Sequence, residues 1–434
     1  MTAYWCERAW LPGGIARAVR IDVEDGRISA VTPNSPQVGS ILSGLTMPGF
    51  ANGHSHAFHR ALRGRTHHER GTFWTWRERM YALAARLDPD AYYRLARGVY
   101  AEMVLGGYTS VGEFHYLHHA PGGKPYAEPN AMGEALRQAA VDAGIRLTLL
   151  DTCYLAGGIG AEPDEVQKRF SDGTAEGWAQ RVADLSETDG FRVGGAIHSV
   201  RAVPGDQLTD VDGGVAPERP LHVHLSEQRA ENEQCLAAYG LTPTELLYSR
   251  GVLGERLTAV HATHLTRLDI ERLGAARARA CFCPTTERDL GDGIGPALGL
   301  QDAGVRLCVG SDSNAVVDAF EETRALELDD RLASEERGRF SAEELLAVGT
   351  EHAAVGWPEV GELAAGLGAD FVTVGLGSVR TAGIEPSGVL FAASGADVRH
   401  VVVAGREVVR DGVHQLIESP ETVLAKEIEA LWQS

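Results

Sequence analysis

Eight short apolar runs, separated by stretches of helical periodicity, constrain the fold of this chain more than any other feature. They fall at 45–50, 108–114, 145–150, 192–197, 221–225, 257–260, 278–283 and 305–310. Runs of this length suit strands buried on both faces, while intervening segments such as 89–105 and 132–143 carry apolar residues at helical spacing. Strand and helix in alternation make parallel sheet, and eight such pairs close naturally into an α/β structure of the (β/α)8, TIM-like barrel type. An open doubly wound sheet is the competitor, but it needs a glycine-rich phosphate turn after an early strand. Gly291, Gly293 and Gly295 lack that context and read as a loop. GxSxG and GxxxxGK[ST] are absent, so serine-hydrolase and P-loop readings have no anchor. The two ends of the chain differ from its middle. Strand-like runs at 18–23, 27–31, 370–374, 398–404 and 407–410 alternate with tight-turn signals, and 420–432 reads as an amphipathic helix. Neither end alone encloses a good core. The expected division is therefore a small β domain from 1–45 plus 368–434, and a barrel from 46–367.

Charge narrows the partners. The chain of 434 residues carries 60 Asp plus Glu against 40 Lys plus Arg, a formal charge of −20. A nucleic acid or an anionic membrane needs a basic surface, so neither is expected as a partner. An anionic substrate must instead be caught by specific arginines against the overall field. No apolar stretch approaches the ~20 residues of a membrane span, and the N-terminal MTAYWCERAW does not read as a secretory signal. Six cysteines without a CxxC pair do not form a disulfide framework, which fits a cytoplasmic protein. Cys281 and Cys283 alternate on one predicted strand; packed core thiols are the favoured reading over metal ligands.

Barrel chemistry sits where strands end. Here the first run leads into Gly53-His54-Ser55-His56, the fifth contains His222-Val223-His224 with Glu227 close behind, His261 closes the sixth, and Gly310-Ser311-Asp312 closes the eighth. Alternate residues share a face, so His54 and His56 can reach one ion while Ser55 points away. One further imidazole and a carboxylate complete an N/O donor set suited to Zn2+, although Fe2+ or Mn2+ suit similar donors. His222 lies one strand repeat deeper than His224, so His224 is the expected ligand and His222 a packed neighbour. Asp312 fits the roles of ligand and proton acceptor. Zinc lowers the pKa of a bound water towards ~7, and Glu227 is placed to take that proton and pass it to a leaving group. His261 is read as polarising the attacked atom or holding the water. The chain has only three lysines, Lys124, Lys168 and Lys426, and none ends a predicted barrel strand. A lysine carbamate bridging two metals has no source, so one metal is expected.

At these residues the chain resembles the amidohydrolase superfamily, and within it the formimidoylglutamate deiminases. The resemblance runs through GFANGHSHAFHR, GTFWTWRERMY, YTSVGEFHYLHH, IHSVRAV, LHVHLSEQ, CFCPTTERDLGDGIG and GSDSN. The HxH pair and strand-end aspartate are common to the superfamily, whereas WTWRERMY, EFHY, IHSVRAV and CPTTERDL are more specific. The resemblance implies a distorted barrel with a small β domain, one zinc, ammonia release from an amidine in histidine breakdown and, by analogy, a homodimer. It further implies His54, His56, His224 and Asp312 as ligands, Glu227 and His261 as catalytic, and Arg77, Tyr116, His198 and Arg201 as binders of the substrate carboxylates. The family often has glutamine where this chain has His59, a departure that bears on contacts near the formimino group and not on the metal site. Read from chemistry alone, a dicarboxylate in an acidic protein calls for forked guanidinium donors, a role Arg77 and Arg201 fit. Two other readings remain at this point: a deaminase of a guanine-, pterin- or triazine-like ring on the same apparatus, and a metal-binding protein without catalysis.

Overall fold

The computed structural model describes residues 2–66 and 73–433. Four strands open the chain: β1 Thr2–Leu11, β2 Gly14–Glu24, β3 Arg27–Thr32 and β4 Ser40–Pro48. Eight follow: β5 Phe50–Ser55, β6 Tyr108–His115, β7 Arg146–Cys153, β8 Phe191–Ile197, β9 Leu221–Leu225, β10 Leu257–His261, β11 Arg279–Phe282 and β12 Arg306–Val309. Four more close it: β13 Phe371–Val374, β14 Val398–Val403, β15 Arg406–Arg410 and β16 Val413–His414. β5 to β12 form one parallel sheet in strict chain order, with the crossovers largely helical, so the expected barrel is present. The other strands make a mixed sheet in the order β16-β15-β14-β13-β4-β1-β2-β3, built from both ends of the chain.

The terminal sheet owes its hairpins to short turns. Asp25-Gly26, Ala404-Gly405 and Asp411-Gly412 all hold positive φ at both residues (50° and 75°, 48° and 76°, 52° and 78°), the twist a two-residue hairpin needs. The sheet has its own small core, in which Tyr4 meets Phe371 edge-on with ring centroids 5.1 Å apart. β1 was not among the anticipated runs. Its Glu7-Arg8 pair interrupts the apolar alternation, and a bulge between Cys6 and Arg8 absorbs that break against β4.

The apolar run at 45–50 is not one strand. Leu45 to Pro48 pair with β13, while Phe50 begins β5 by donating to the Gly107 carbonyl at 3.1 Å. The chain thus changes sheets at Pro48-Gly49, where proline offers no N–H to continue the ladder. A buried bidentate pair, Arg146 to Asp370 at 2.9 and 3.0 Å, ties the start of β7 to the residue before β13. The C-terminal helix Pro420–Gln433 lies on the helix Pro89–Leu105, and its Trp432 donates to the Ala61 carbonyl at 2.9 Å. Among the described residues, no helix is long and apolar enough to cross a membrane.

Barrel closure matters most for the site. Past the end of β12, Asp312 N–H donates to His54 O, and His56 N–H donates to Asp312 O, both at 2.9 Å. Asn314 reinforces this seam by donating to His56 O at 3.0 Å and Ser55 Oγ at 3.3 Å. The approach is close: a Cβ on Gly310 would stand 2.6 Å from both N and O of His54, so only glycine fits.

Candidate active site

The seam brings a cage of donors together. His54 Nε2 lies 3.2 Å from His56 Nε2 and 3.1 Å from His224 Nε2. Asp312 Oδ1 stands 3.4 Å from His54 Nε2 and 3.3 Å from His56 Nε2. Donors about 2.0–2.1 Å from a tetrahedral ion are separated by roughly 3.3–3.4 Å, so these spacings fit one small divalent ion at the centre. The chemistry of the donors agrees. His56 Nδ1–H donates to the Phe114 carbonyl at 2.9 Å, leaving Nε2 as the lone-pair nitrogen facing the cage. Burial lowers the basicity of His54, His56 and His224, holding all three rings neutral. Burial alone would raise the Asp312 carboxyl, but His54, His261 and His56 around it outweigh that and keep it ionised. Three neutral imidazoles and one carboxylate are a set that a divalent cation satisfies.

The backbone at the mouth is strained. Ser226, His261, Ala262 and Asp312 all have positive φ, at 52°, 69°, 49° and 42°. Each such non-glycine residue costs on the order of 1–3 kcal/mol and needs surroundings that hold it. Here Ala262 N–H donates to Leu225 O, and His264 N–H to Ser226 O, both at 3.0 Å.

His261 and Glu227 flank the cage, with His261 Nε2 3.9 Å from Glu227 Oε1. On the far side of the ring, Nδ1 meets Glu287 Oε1 at 3.3 Å, and Cys283 N–H fixes that same oxygen at 2.8 Å. Glu287 therefore sets the orientation of His261. Burial alone would depress His261, but Glu227, Glu287 and Asp312 outweigh it and raise its pKa to about 10. Glu287 was not anticipated as a site residue, although it lies in the CPTTERDL stretch.

A cavity of about 340 Å³ opens over this cage. Its lining includes His59, Arg77, Tyr116, His198 and Arg201, so the residues expected to bind substrate share one chamber with His56, His224, Glu227, His261 and Asp312. Arg201 is held by two carboxylates, with Nε 3.4 Å from Glu231 and Nη2 3.6 Å from Glu227. Arg77 lies on the helix Phe73–Ala84, its guanidinium 5.3 Å from the Tyr81 ring centroid. The first two residues of GTFWTWRERMY lie outside the described residues. His59 Nε2 is 2.9 Å from the Tyr116 hydroxyl, and burial lowers this imidazole well below its ordinary range. Burial, then Arg201, does the same to His198. Tyr81, Tyr154, Gln167 and Glu231 were missed from sequence. Only Tyr81 sits in a recognised stretch, and Glu231 lies four residues past Glu227 in the first turn of the helix Arg229–Tyr239.

Two other clusters are structural. Cys281, Cys283 and Cys308 are fully buried beneath the cage with Val260 and Ala354. Burial raises the Cys281 and Cys283 thiols well above their usual range, and the contact with Cys281, then burial, does the same to Cys308, so all three are packed and protonated. His115, His118 and Asp151 also lie close together. There, however, both Asp151 oxygens already accept from Arg181, one also from Trp178, and His118 Nε2 donates to Thr152 O at 2.9 Å. A cation would have to displace a guanidinium.

The paired histidines of β9 give a direct test. His222 lies beneath the mouth with Nε2 2.8 Å from the Ala354 carbonyl, whereas His224 Nε2 faces His54. His224→Ala is expected to lose bound metal and nearly all activity. His222→Ala should lose stability, by about 1–3 kcal/mol for the orphaned carbonyl, yet retain a metal-bound fraction measurable by elemental analysis. Equal metal loss in two folded variants would refute the distinction.

A parallel barrel whose strand ends converge on such a cage, with a carboxylate and an imidazole beside it, defines a hydrolase that works with a divalent metal on C–N bonds. Residues 45–408 match the amidohydrolase family. The chain is 38% identical to formimidoylglutamate deiminase of Pseudomonas aeruginosa, covering 95% of this chain and 96% of that protein. The crystal structure of an amidohydrolase from Brucella melitensis superposes with a TM-score of 0.91 at 33% identity, covering 100% of both chains. Similarity to 8-oxoguanine deaminase of Pseudomonas aeruginosa is lower, 27% over 92% of this chain and 91% of that one. The chain belongs to the amidohydrolase superfamily and, within it, to the formimidoylglutamate deiminase family.

Proposed function

We propose that this protein hydrolyses N-formimino-L-glutamate to N-formyl-L-glutamate and ammonia, a step of L-histidine degradation, with one zinc held by His54, His56, His224 and Asp312. The observation that carries this reading is the pairing, in one 340 Å³ cavity, of two arginines, Arg77 and Arg201, with the donor cage. A zinc ion there supplies positive charge and lowers the pKa of a water. Glu227 takes a proton as the water oxygen bonds to the formimino carbon, and returns it to the nitrogen that departs as ammonia. Asp312 takes the second proton, from the hydroxyl now on that carbon, and passes it to the same nitrogen, so that the C–N bond breaks, the formyl C=O forms and the nitrogen leaves as NH3. His261, held by Glu287, polarises the reacting group or holds the water. Arg77, Tyr116, His198 and Arg201 bind the two carboxylates, and His59 contributes through Tyr116. The six cysteines are free and buried, which suits the cytoplasm.

The likeness to 8-oxoguanine deaminase favours a second reading, a heterocycle deaminase, and Trp76, Tyr116 and Phe170 do line the cavity. A neutral ring, however, brings no carboxylate to the two cavity arginines, whereas the dicarboxylate amidine brings two. The deciding measurement is ammonia release from N-formimino-L-glutamate, formamidine, 8-oxoguanine and an adenine nucleoside, with metal analysis of the same sample. Only the dicarboxylate amidine should turn over efficiently. Preference for either heterocycle would overturn the reading.

A further inference from the structure

Gln167 touches none of the groups assigned above, yet it organises one wall of the cavity. It is 3% exposed, and Asp164 N–H donates to its Oε1 at 2.9 Å. That contact orients the amide, because an N–H needs the carbonyl end opposite it. The amide nitrogen then lies 2.7 Å from the Tyr154 hydroxyl and 3.0 Å from the Tyr81 hydroxyl. Both phenol oxygens accept from Gln167, so their own hydrogens must turn elsewhere. Even if one donates to the other, a hydrogen is left over, and the hydrogen bonds of the described residues give it no protein acceptor. Both tyrosines line the cavity, so the hydrogen faces the cavity.

Two cations stand beside this wall. The Arg77 guanidinium lies over the Tyr81 ring, and Arg201 and Arg77 both act on Tyr154. The wall is also remote from the cage. The His198 ring stands between Tyr154 and His224, with centroid separations of 4.6 and 5.1 Å. Tyr154 and Tyr81 therefore face the far end of a substrate whose amidine sits at the cage.

We propose that Tyr154 and Tyr81, keyed by Gln167, form a donor-only subsite for the substrate carboxylate farther from the reacting carbon, and that this subsite distinguishes a carboxylate from a carboxamide. A carboxylate brings only acceptors to such a wall. A carboxamide brings two N–H groups that meet O–H and guanidinium donors, and one of them stays unpaired. The inference rests on the dicarboxylate reading of the substrate and adds residues to it.

The test compares N-formimino-L-glutamate, its side-chain carboxamide analogue and formamidine on the purified holoenzyme. Wild type should prefer the carboxylate over the carboxamide by roughly 10- to 100-fold in kcat/KM. Tyr154→Phe should raise KM for N-formimino-L-glutamate roughly tenfold with kcat within about twofold, and shrink that preference. Gln167→Glu should act the same way without touching a ring, because the phenols would turn their hydrogens to the new carboxylate. Both variants should process formamidine like wild type. Unchanged KM in both variants, or equal losses on formamidine and the dicarboxylate, would overturn the subsite while leaving the functional reading intact. Failure of the wild type to release ammonia from N-formimino-L-glutamate would instead overturn the functional reading, and the subsite with it.

Discussion

Glu227→Gln should lower kcat by about 10²–10⁴-fold while the metal stays bound. Glu227 stands 3.9 Å from His261 and 3.6 Å from Arg201, and the donor cage is complete without it. The amide keeps the shape of the side chain but cannot accept a proton from water. KM should change far less than kcat, because the substituted group is assigned to proton transfer and not to carboxylate binding. Elemental analysis of the purified variant, together with steady-state ammonia release, separates the two effects. Turnover near the wild-type rate would remove Glu227 from the chemistry.

Arg201→Met should lower kcat/KM for N-formimino-L-glutamate by roughly ten- to more than a hundredfold, since a charge-assisted hydrogen bond is worth ~1.5–3 kcal/mol. Uncharged formamidine has no carboxylate to lose and should be affected much less. The substitution also strands Glu231, which is 1% exposed and holds Arg201 at 3.4 Å. Burial already raises the Glu231 carboxyl to about 7 with Arg201 in place, and losing that partner pushes it further up. A drop in thermal stability should therefore accompany the loss of activity, and the comparison of substrates controls for it. Arg77→Met should show the same selectivity. Equal slowing of both substrates would make the arginines structural, and no effect on the dicarboxylate would place its binding elsewhere.

Legibility from the sequence followed the range of the interactions concerned. The eight barrel strands could be read because each is a local apolar run. The first was misplaced by a few residues because its apolar run continues unbroken from β4, and hydrophobicity does not record that Met47 pairs with β13 while Phe50 pairs with β6. The strand-end histidines were legible through alternation, which places His54 and His56 on one face whatever the rest of the chain does. Tyr154, Gln167 and Glu231 carry no such local mark. Their significance comes from a hydroxyl, an amide and a carboxylate meeting across separate crossovers, and spacing in the chain holds no trace of that.

The sequence by itself determined the class of fold, the strand ends where imidazoles and carboxylates gather, the depth order of His222 and His224, and an overall acidic charge. These follow from periodicity and counting, which act within a few residues. Only the tertiary structure decided that β12 returns beside β5, so that Asp312 and His54 exchange backbone hydrogen bonds and the donor cage closes at the barrel seam. It alone decided that Glu287 orients His261, that Glu231 holds Arg201, and that the Gln167 amide meets the Tyr154 and Tyr81 hydroxyls. The physical reason is directional: a hydrogen bond requires a donor and an acceptor within about 3 Å and in line, and a linear chain specifies such a meeting only once it has folded.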